Sequence, residues 1–300
     1  MPRDNLFCWP ALGRSGLGNL LLPWARCELF ARDHQARMLA PRWTHLKIGP
    51  ILRRELDKRF YIGLFRSTGY IRGLRRYLLL KLAKQYAESD AESALAAAKA
   101  DQRVIVRFAG MEGDFTPILG EHEFIRSRLY QILSKRIHRR LDAVKDDGEF
   151  IAVHIRRGDM RTIAFGEEFD TSTHGGLPLQ WYINIINQLR QYSGKKYPVR
   201  VYSDGRDEEL RPLLDLPDVV RSAIAPSIVD ILRLARSRLI ITGGGSTFSM
   251  WAVYLQQAPC IWYPRLREKY GKVAGHYSFT ADLEGRLDTN DLNELVQKLK

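Results

Sequence analysis

Residues 150–159 read FIAVHIRRGD, an apolar run that delivers a histidine, two adjacent arginines, a glycine and an aspartate. Two neighbouring guanidiniums repel each other unless an anion or a carboxylate lies between them, and a guanidinium fork matches phosphate oxygens in bidentate fashion. Arg156 and Arg157, with His154 beside them, therefore point to a diphosphate; an ion pair with Asp159 that closes a loop is the plainer reading. Two other runs end in the same way. VRVYSD delivers Asp204, and LIITGGGSTFSMW delivers three glycines, Ser246, Thr247 and Phe248 between an apolar run and a helix start. Backbone N–H groups and the helix dipole at such a start favour an anion. A G-x-x-x-x-G-K-[ST] run is absent, which excludes a P-loop nucleoside triphosphatase. Together the three runs outline one nucleotide pocket, with arginines and N–H groups for a diphosphate and Asp204 to accept from a base or ribose. Glu167, Glu168, Asp170 and His174 follow closely and could take a proton from a hydroxyl, or could be plain loop surface.

These residues need strands to deliver them. FIAVHI, VRVYS, LIITG and CIWYP read as strands separated by helices over PLQWYINIINQLRQY, RDEELRPLL, SIVDILRLARS and STFSMWAVYLQQ. That alternation builds a parallel sheet covered by helices, and such sheets bind ligands at the carboxyl ends of their strands. Trp181 and Tyr182, at the start of one helix, read as packing residues. In the first half, NLFCWPAL and RVIVRF read as strands, GRSGLGN as a glycine-rich turn, and LLLPWARCELFARDH as a helix with Pro23 in or near its first turn. Apolar residues at helical spacing predict one long amphipathic helix from Glu121 to Val144. The expected fold class is α/β, with two Rossmann-like domains facing a cleft. The boundary falls at KDDGE, giving residues 1–147, with a basic helical insertion at 51–99, and residues 148–300.

Composition narrows the partners. The chain has 300 residues and its 45% hydrophobic content is that of a globular protein, while its net charge of +13 favours a phosphate-bearing partner. Cys8, Cys27 and Cys260 are far apart, without C-x-x-C spacing, so neither a disulfide framework nor a zinc site is expected. The histidines likewise form no metal-ligand spacing. A membrane span and a leader are not expected, so the expectation is a soluble cytoplasmic protein, at most peripheral at the inner face of the membrane. Between Arg53 and Lys84 ten basic residues stand against only Glu55 and Asp57, interleaved with aromatic and leucine residues. That stretch is either a solvated basic face or a surface for anionic lipid.

HIRRGD, THGGLPLQWY, VYSD, VDILRLARSRLIITGGGSTFSMWA and an amino-terminal SGLGN resemble, in order and spacing, the alpha-1,2-fucosyltransferase family. The resemblance covers both halves and skips residues 51–99. It implies a GT-B-like fold and an inverting, metal-independent transfer of fucose from GDP-fucose to a glycan hydroxyl, with galactose the family's usual acceptor and surface polysaccharide or glycolipid the product. It implies that Arg156 holds the β-phosphate, that His154 supports that site and that Asp159 belongs to the same catalytic motif. Donor contacts would come from Arg156, Arg157, Asp204, Ser246, Thr247 and Phe248, and from Gly16, Gly18 and Asn19 in the other half. No cofactor is implied beyond the donor itself. The chain departs from the family pattern at Met160, at Met250 and at Gly205, where a second acid is usual; the last leaves another GDP-sugar open. The alternative from a different class is a non-enzymatic basic nucleic-acid binder, although no helix-turn-helix, RNP or zinc-finger pattern is present. Steep loss of affinity with salt would mark that alternative.

Overall fold

The computed structural model describes residues 4–43, 61–143, 148–158, 161–168, 175–275 and 277–299. Their chain forms two compact units, changing from the first to the second between His138 and Arg139.

The first unit is built on a parallel four-stranded sheet of order β2-β1-β4-β3, from β1 (Leu6–Pro10), β2 (Arg37–Met38), β3 (Lys84–Ala87) and β4 (Val104–Phe108). Strands β1 and β4 pair over their full length and bury Leu6, Phe7, Cys8, Val104, Ile105 and Val106. Helix α1 (Leu17–His34) starts earlier than the sequence pattern predicts, so Gly18 and Asn19 lie in its first turn and Gly16 is its N-cap. Pro23 is thus the seventh helical residue, inside the helix instead of in its first turn, where its missing N–H forfeits a helical hydrogen bond. Packing outweighs that loss: Leu20, Leu21, Leu22, Trp24, Ala25 and Cys27 are all buried.

Two further expectations are corrected here. The segment read as a basic helical insertion holds helices α2 (Gly73–Leu82) and α3 (Ala91–Lys99), but β3 between them pairs with β4 and belongs to the sheet. As a short, mostly exposed edge strand it needs no apolar alternation, which is why KQYA gives no strand signal. The single helix predicted from Glu121 is two, α4 (His122–Ile132) and α5 (Lys135–Asp142). Leu133 adopts extended geometry, Phe65 forms a bridge with it, and Ser134 N–H donates to Leu64 O at 2.9 Å. A distant segment therefore claims the backbone of the break, and apolar spacing is blind to that. Val144 lies outside the described residues.

The second unit carries a parallel six-stranded sheet of order β12-β11-β10-β5-β8-β9. Its strands are β5 (Ile151–Ile155), β8 (Val199–Ser203), β9 (Val219–Arg221), β10 (Leu239–Ile241), β11 (Cys260–Trp262) and β12 (Ser278–Thr280). A two-residue pairing of β6 (Arg161–Thr162) with β7 (Gly175–Gly176) lies beyond β5. The helices are α6 (Leu179–Ser193), α7 (Asp207–Leu214), α8 (Ser227–Leu234), α9 (Thr247–Gln256), α10 (Leu266–Tyr270) and α11 (Thr289–Lys298). Every residue of β5 is buried, the mark of a central strand covered on both faces. Strand order runs one way from β5 through β8 to β9 and the other way from β10 to β12, so it reverses between β5 and β10. Among the described residues no helix is long and apolar enough to cross a membrane.

Candidate functional site

At the reversal point of an open parallel sheet two successive crossovers leave on opposite faces, opening a crevice at the carboxyl ends of the strands. The carboxyl ends of β5, β10 and β8 carry His154 to Gly158, Thr242 to Ser246, and Asp204 respectively. The structure thus brings together His154, Arg156, Arg157, Asp204, Ser246, Thr247 and Phe248.

Asp204 is the hub. Its Oδ2 accepts from Arg156 Nη1 in a close ion pair, and its Oδ1 accepts from the Arg157 backbone N–H at 2.7 Å. The side chains of the two arginines diverge as alternation along an extended chain requires. The Arg157 guanidinium is buried and donates from Nη1 to Thr162 Oγ1 at 3.1 Å and to Leu177 O at 2.8 Å. It therefore ties the β6–β7 pair to the end of β5.

His154 is buried, with its ring stacked on Phe248 at 5.0 Å between centroids and 19° between planes. Burial, with a smaller push from the Arg156 guanidinium, lowers its pKa to about 3, so the ring is neutral near pH 7. Its carbonyl accepts from Tyr182 Oη at 3.2 Å. Ser246 caps α9, accepting from Phe248 N–H at 3.4 Å, and Ser249 Oγ donates to Ser246 O at 3.2 Å. The start of α9 is thereby held against the end of β5 through the Phe248–His154 stack.

The glycines here are matters of space. A Cβ on Gly243 would lie 2.7 Å from His154 Nδ1, and one on Gly176 would lie 2.7 Å from Arg156 O. On Gly205 it would meet Arg157 Cγ at 2.9 Å, so position 205 has no room for a side chain unless Arg157 shifts. Gly243 is one of the three glycines of the TGGGS turn, whereas Gly176 and the Arg157 partners Thr162 and Leu177 carry no chemical signal of their own in the sequence. The doubled and tripled glycines of THGG and TGGGS were the available signal.

Other residues named from the sequence have the following surroundings or lie outside the described residues. Glu167 Oε2 accepts from Ala164 N–H at 2.8 Å and approaches Arg161, while Glu168 is exposed and pairs with Arg265 at 2.6 Å. Asp159, Asp170 and His174 lie outside the described residues. Gly16, Gly18 and Asn19 lie in the first unit, at the β1–α1 connection. Trp181 and Tyr182 are buried, with Trp181 Nε1 donating to Asp282 O at 2.9 Å. Among the described residues no cluster of three His, Cys, Asp or Glu side chains is placed to hold a metal ion.

No family model matches the chain, and no curated protein matches it in sequence. Solved structures do match in fold. A fucosyltransferase NodZ from Bradyrhizobium is similar at a TM-score of 0.53 and 15% identity, over 88% of this chain and 96% of that one. A NodZ alpha-1,6-fucosyltransferase soaked with GDP-fucose is similar at a TM-score of 0.54 and 16% identity, over 88% and 96%. The chain shares their mixed α/β fold of parallel sheets covered by helices.

Proposed function

We propose that the chain is an inverting glycosyltransferase that moves fucose from GDP-fucose to a hydroxyl of a glycan acceptor. The observation that carries the reading is the convergence of Arg156, Asp204, His154 and the capped start of α9 at the strand-order reversal. The motif resemblance and the fold shared with NodZ, of which one structure was soaked with GDP-fucose, support the donor.

In this reading the diphosphate lies against Arg156 and the N–H groups that open α9. As the bond between C1 of fucose and the β-phosphate oxygen breaks, GDP leaves with the electron pair and the acceptor oxygen bonds to C1 from the opposite face. Negative charge grows on the leaving group, so a fixed guanidinium binds the transition state more tightly than the ground state. This charge stabilisation is what makes the reaction metal-independent in our reading. Asp204 holds Arg156 in place, and the remaining lone pairs of its carboxylate accept from the nucleoside. Neutral His154 is a packing floor for the site, and Asp159 belongs to the same catalytic motif by the resemblance. By the motif resemblance Gly16, Gly18 and Asn19 are further donor-binding residues, and residues 1–147 are the acceptor-side domain. The acceptor's proton goes to a base among Glu167, Glu168, Asp170 and His174.

The linkage proposed is alpha-1,2 to galactose, in surface polysaccharide or glycolipid. Transfer from another GDP-sugar is the second reading, favoured by Gly205 in place of the family's second acid. A membrane-peripheral location is part of the proposal, and α2 supports it. Leu74, Tyr77, Leu78 and Leu82 are 71%, 54%, 44% and 79% exposed and recur along one helical face, and no acid occurs between Arg59 and Ala87.

Turnover measured across a panel of nucleotide sugars, with and without chelator, tests the reading. GDP-fucose is expected to be consumed at the same rate in both conditions, and consumption of UDP-sugars alone would overturn the donor assignment.

A further inference from the structure

The first unit holds a groove of about 370 Å³ near the carboxyl end of β1, lined among others by Trp9, Arg42, Arg76, Tyr77, Leu80 and Lys81. That volume is in the range of small-molecule sites. Its charge is one-sided. Among the described residues neither Arg42, Arg76 nor Lys81 forms an ion pair with a carboxylate. Arg76 is buried, its Nε donates to Ala40 O at 2.9 Å, and its guanidinium lies 5.7 Å from the centre of the Trp9 ring. Burial, with a further push from Arg42 beside it, lowers the pKa of Arg76. A desolvated guanidinium next to a second one, with no counter-charge among the described residues, is an unfavourable arrangement that a bound anion relieves. Tyr77 stands 54% exposed at the same groove and offers an aromatic face.

We propose that this groove binds a pyranose bearing an anionic group, a phosphate or a carboxylate, with the charge among Arg42, Arg76 and Lys81 and the sugar ring against Tyr77. As the acceptor class of the transferase, the inference rests on the function proposed above; as a binding site, it stands on the groove alone. An acceptor with this chemistry belongs to acidic glycans or to sugar phosphates.

The test is calorimetric titration of the full chain, without donor, using methyl β-galactoside, its 6-phosphate, methyl β-galacturonoside and inorganic phosphate. At least one charged galactoside is expected to bind about tenfold or more tightly than both the neutral sugar and inorganic phosphate, since a charge-assisted hydrogen bond contributes on that scale. Which charged galactoside binds distinguishes phosphate from carboxylate. Arg42→Gln and Lys81→Gln are each expected to remove most of that preference while leaving the melting temperature unchanged. Equal binding of charged and neutral sugars, inorganic phosphate binding as tightly as the sugar phosphate, or wild-type preference in both variants would overturn the proposal. Failure of the donor reading is visible separately: a protein that shows the charged-sugar preference but neither binds GDP nor turns over GDP-fucose keeps the groove and loses the transferase.

Discussion

The Asp204 carboxylate engages both members of the arginine pair through different atoms, the side chain of Arg156 at Oδ2 and the backbone of Arg157 at Oδ1. One guanidinium is thereby presented at the strand ends while the other is directed into the β6–β7 pair. The two arginines are adjacent in sequence and unequal in structure.

Exchange of each arginine for lysine separates the two roles. Arg156→Lys keeps the charge but loses the bidentate fork, and single-turnover transfer is expected to fall about 10²–10³-fold with melting nearly unchanged. Arg157→Lys is expected to retain more turnover and to lose about 1–3 kcal/mol of stability, because the buried Leu177 carbonyl and Thr162 hydroxyl lose their shared donor. Near-wild-type turnover in Arg156→Lys would remove the diphosphate role.

Placing an acid at position 205 is expected to harm this protein. In Gly205→Asp the new side chain must displace the Arg157 stem, an overpacking penalty of about 1–3 kcal/mol. Thermal melting should drop and GDP affinity should not improve. A stable variant with tighter GDP binding would show that the space at Gly205 is not limiting.

Acid should weaken the second unit through His154. Its folded pKa of about 3 lies below the ordinary 6.5, so between those values the unfolded chain binds a proton that the native state does not. Stability is therefore intact above pH 6.5 and is lost as pH falls toward 3, by up to about 1.4 kcal/mol per pH unit. In His154→Phe, which can stack on Phe248 and cannot titrate, the melting temperature should depend less steeply on pH over that window. Identical pH profiles for the two proteins would contradict the buried neutral histidine.

Helix α2 provides a test of membrane contact. Arg72→Glu with Arg75→Glu reverses two exposed charges beside the Leu74, Tyr77, Leu78 and Leu82 face. At about 1 kcal/mol for each basic residue near an anionic surface, co-sedimentation with phosphatidylserine vesicles should fall at least about tenfold while GDP affinity holds. Unchanged sedimentation would leave α2 a solvated basic face. Of the basic residues in this stretch, Arg53 and Arg54 lie outside the described residues, and Arg76 is tied to Ala40 O.

Legibility in the sequence follows burial. Strand β5 is readable almost to the residue because it is covered on both faces and is a short, nearly unbroken apolar run, and β8 because Val199, Val201 and Tyr202 are buried β-formers between polar ends. Edge strands β3 and β9 and the outlying β12 carry no such signature and were missed. The α4–α5 break was hidden because its cause, the stretch Leu64 to Arg66, is far away in sequence. Within the site, residue types announced chemistry at Arg156, Asp204 and Ser246. What the types could not say was which partner each would find: among the described residues the carboxylate beside Arg156 is Asp204, forty-eight positions away, and Asp159, the carboxylate nearest in sequence, lies outside them.

The Arg157 clasp has an evolutionary reading. Pairing of β6 with β7 and the two bonds from Arg157 close the stretch between Thr162 and Gly175 at its base. Chain beyond a closed base can lengthen at a cost of only about 0.6 kcal/mol per doubling, with little transmitted to the sheet. Sequence drift between those two residues is thus poorly transmitted to the strand ends around Asp204, while buried Ile163, the bond from Tyr263 Oη to Glu167 O and the base proposed among Glu167, Glu168, Asp170 and His174 limit what selection can change within the segment.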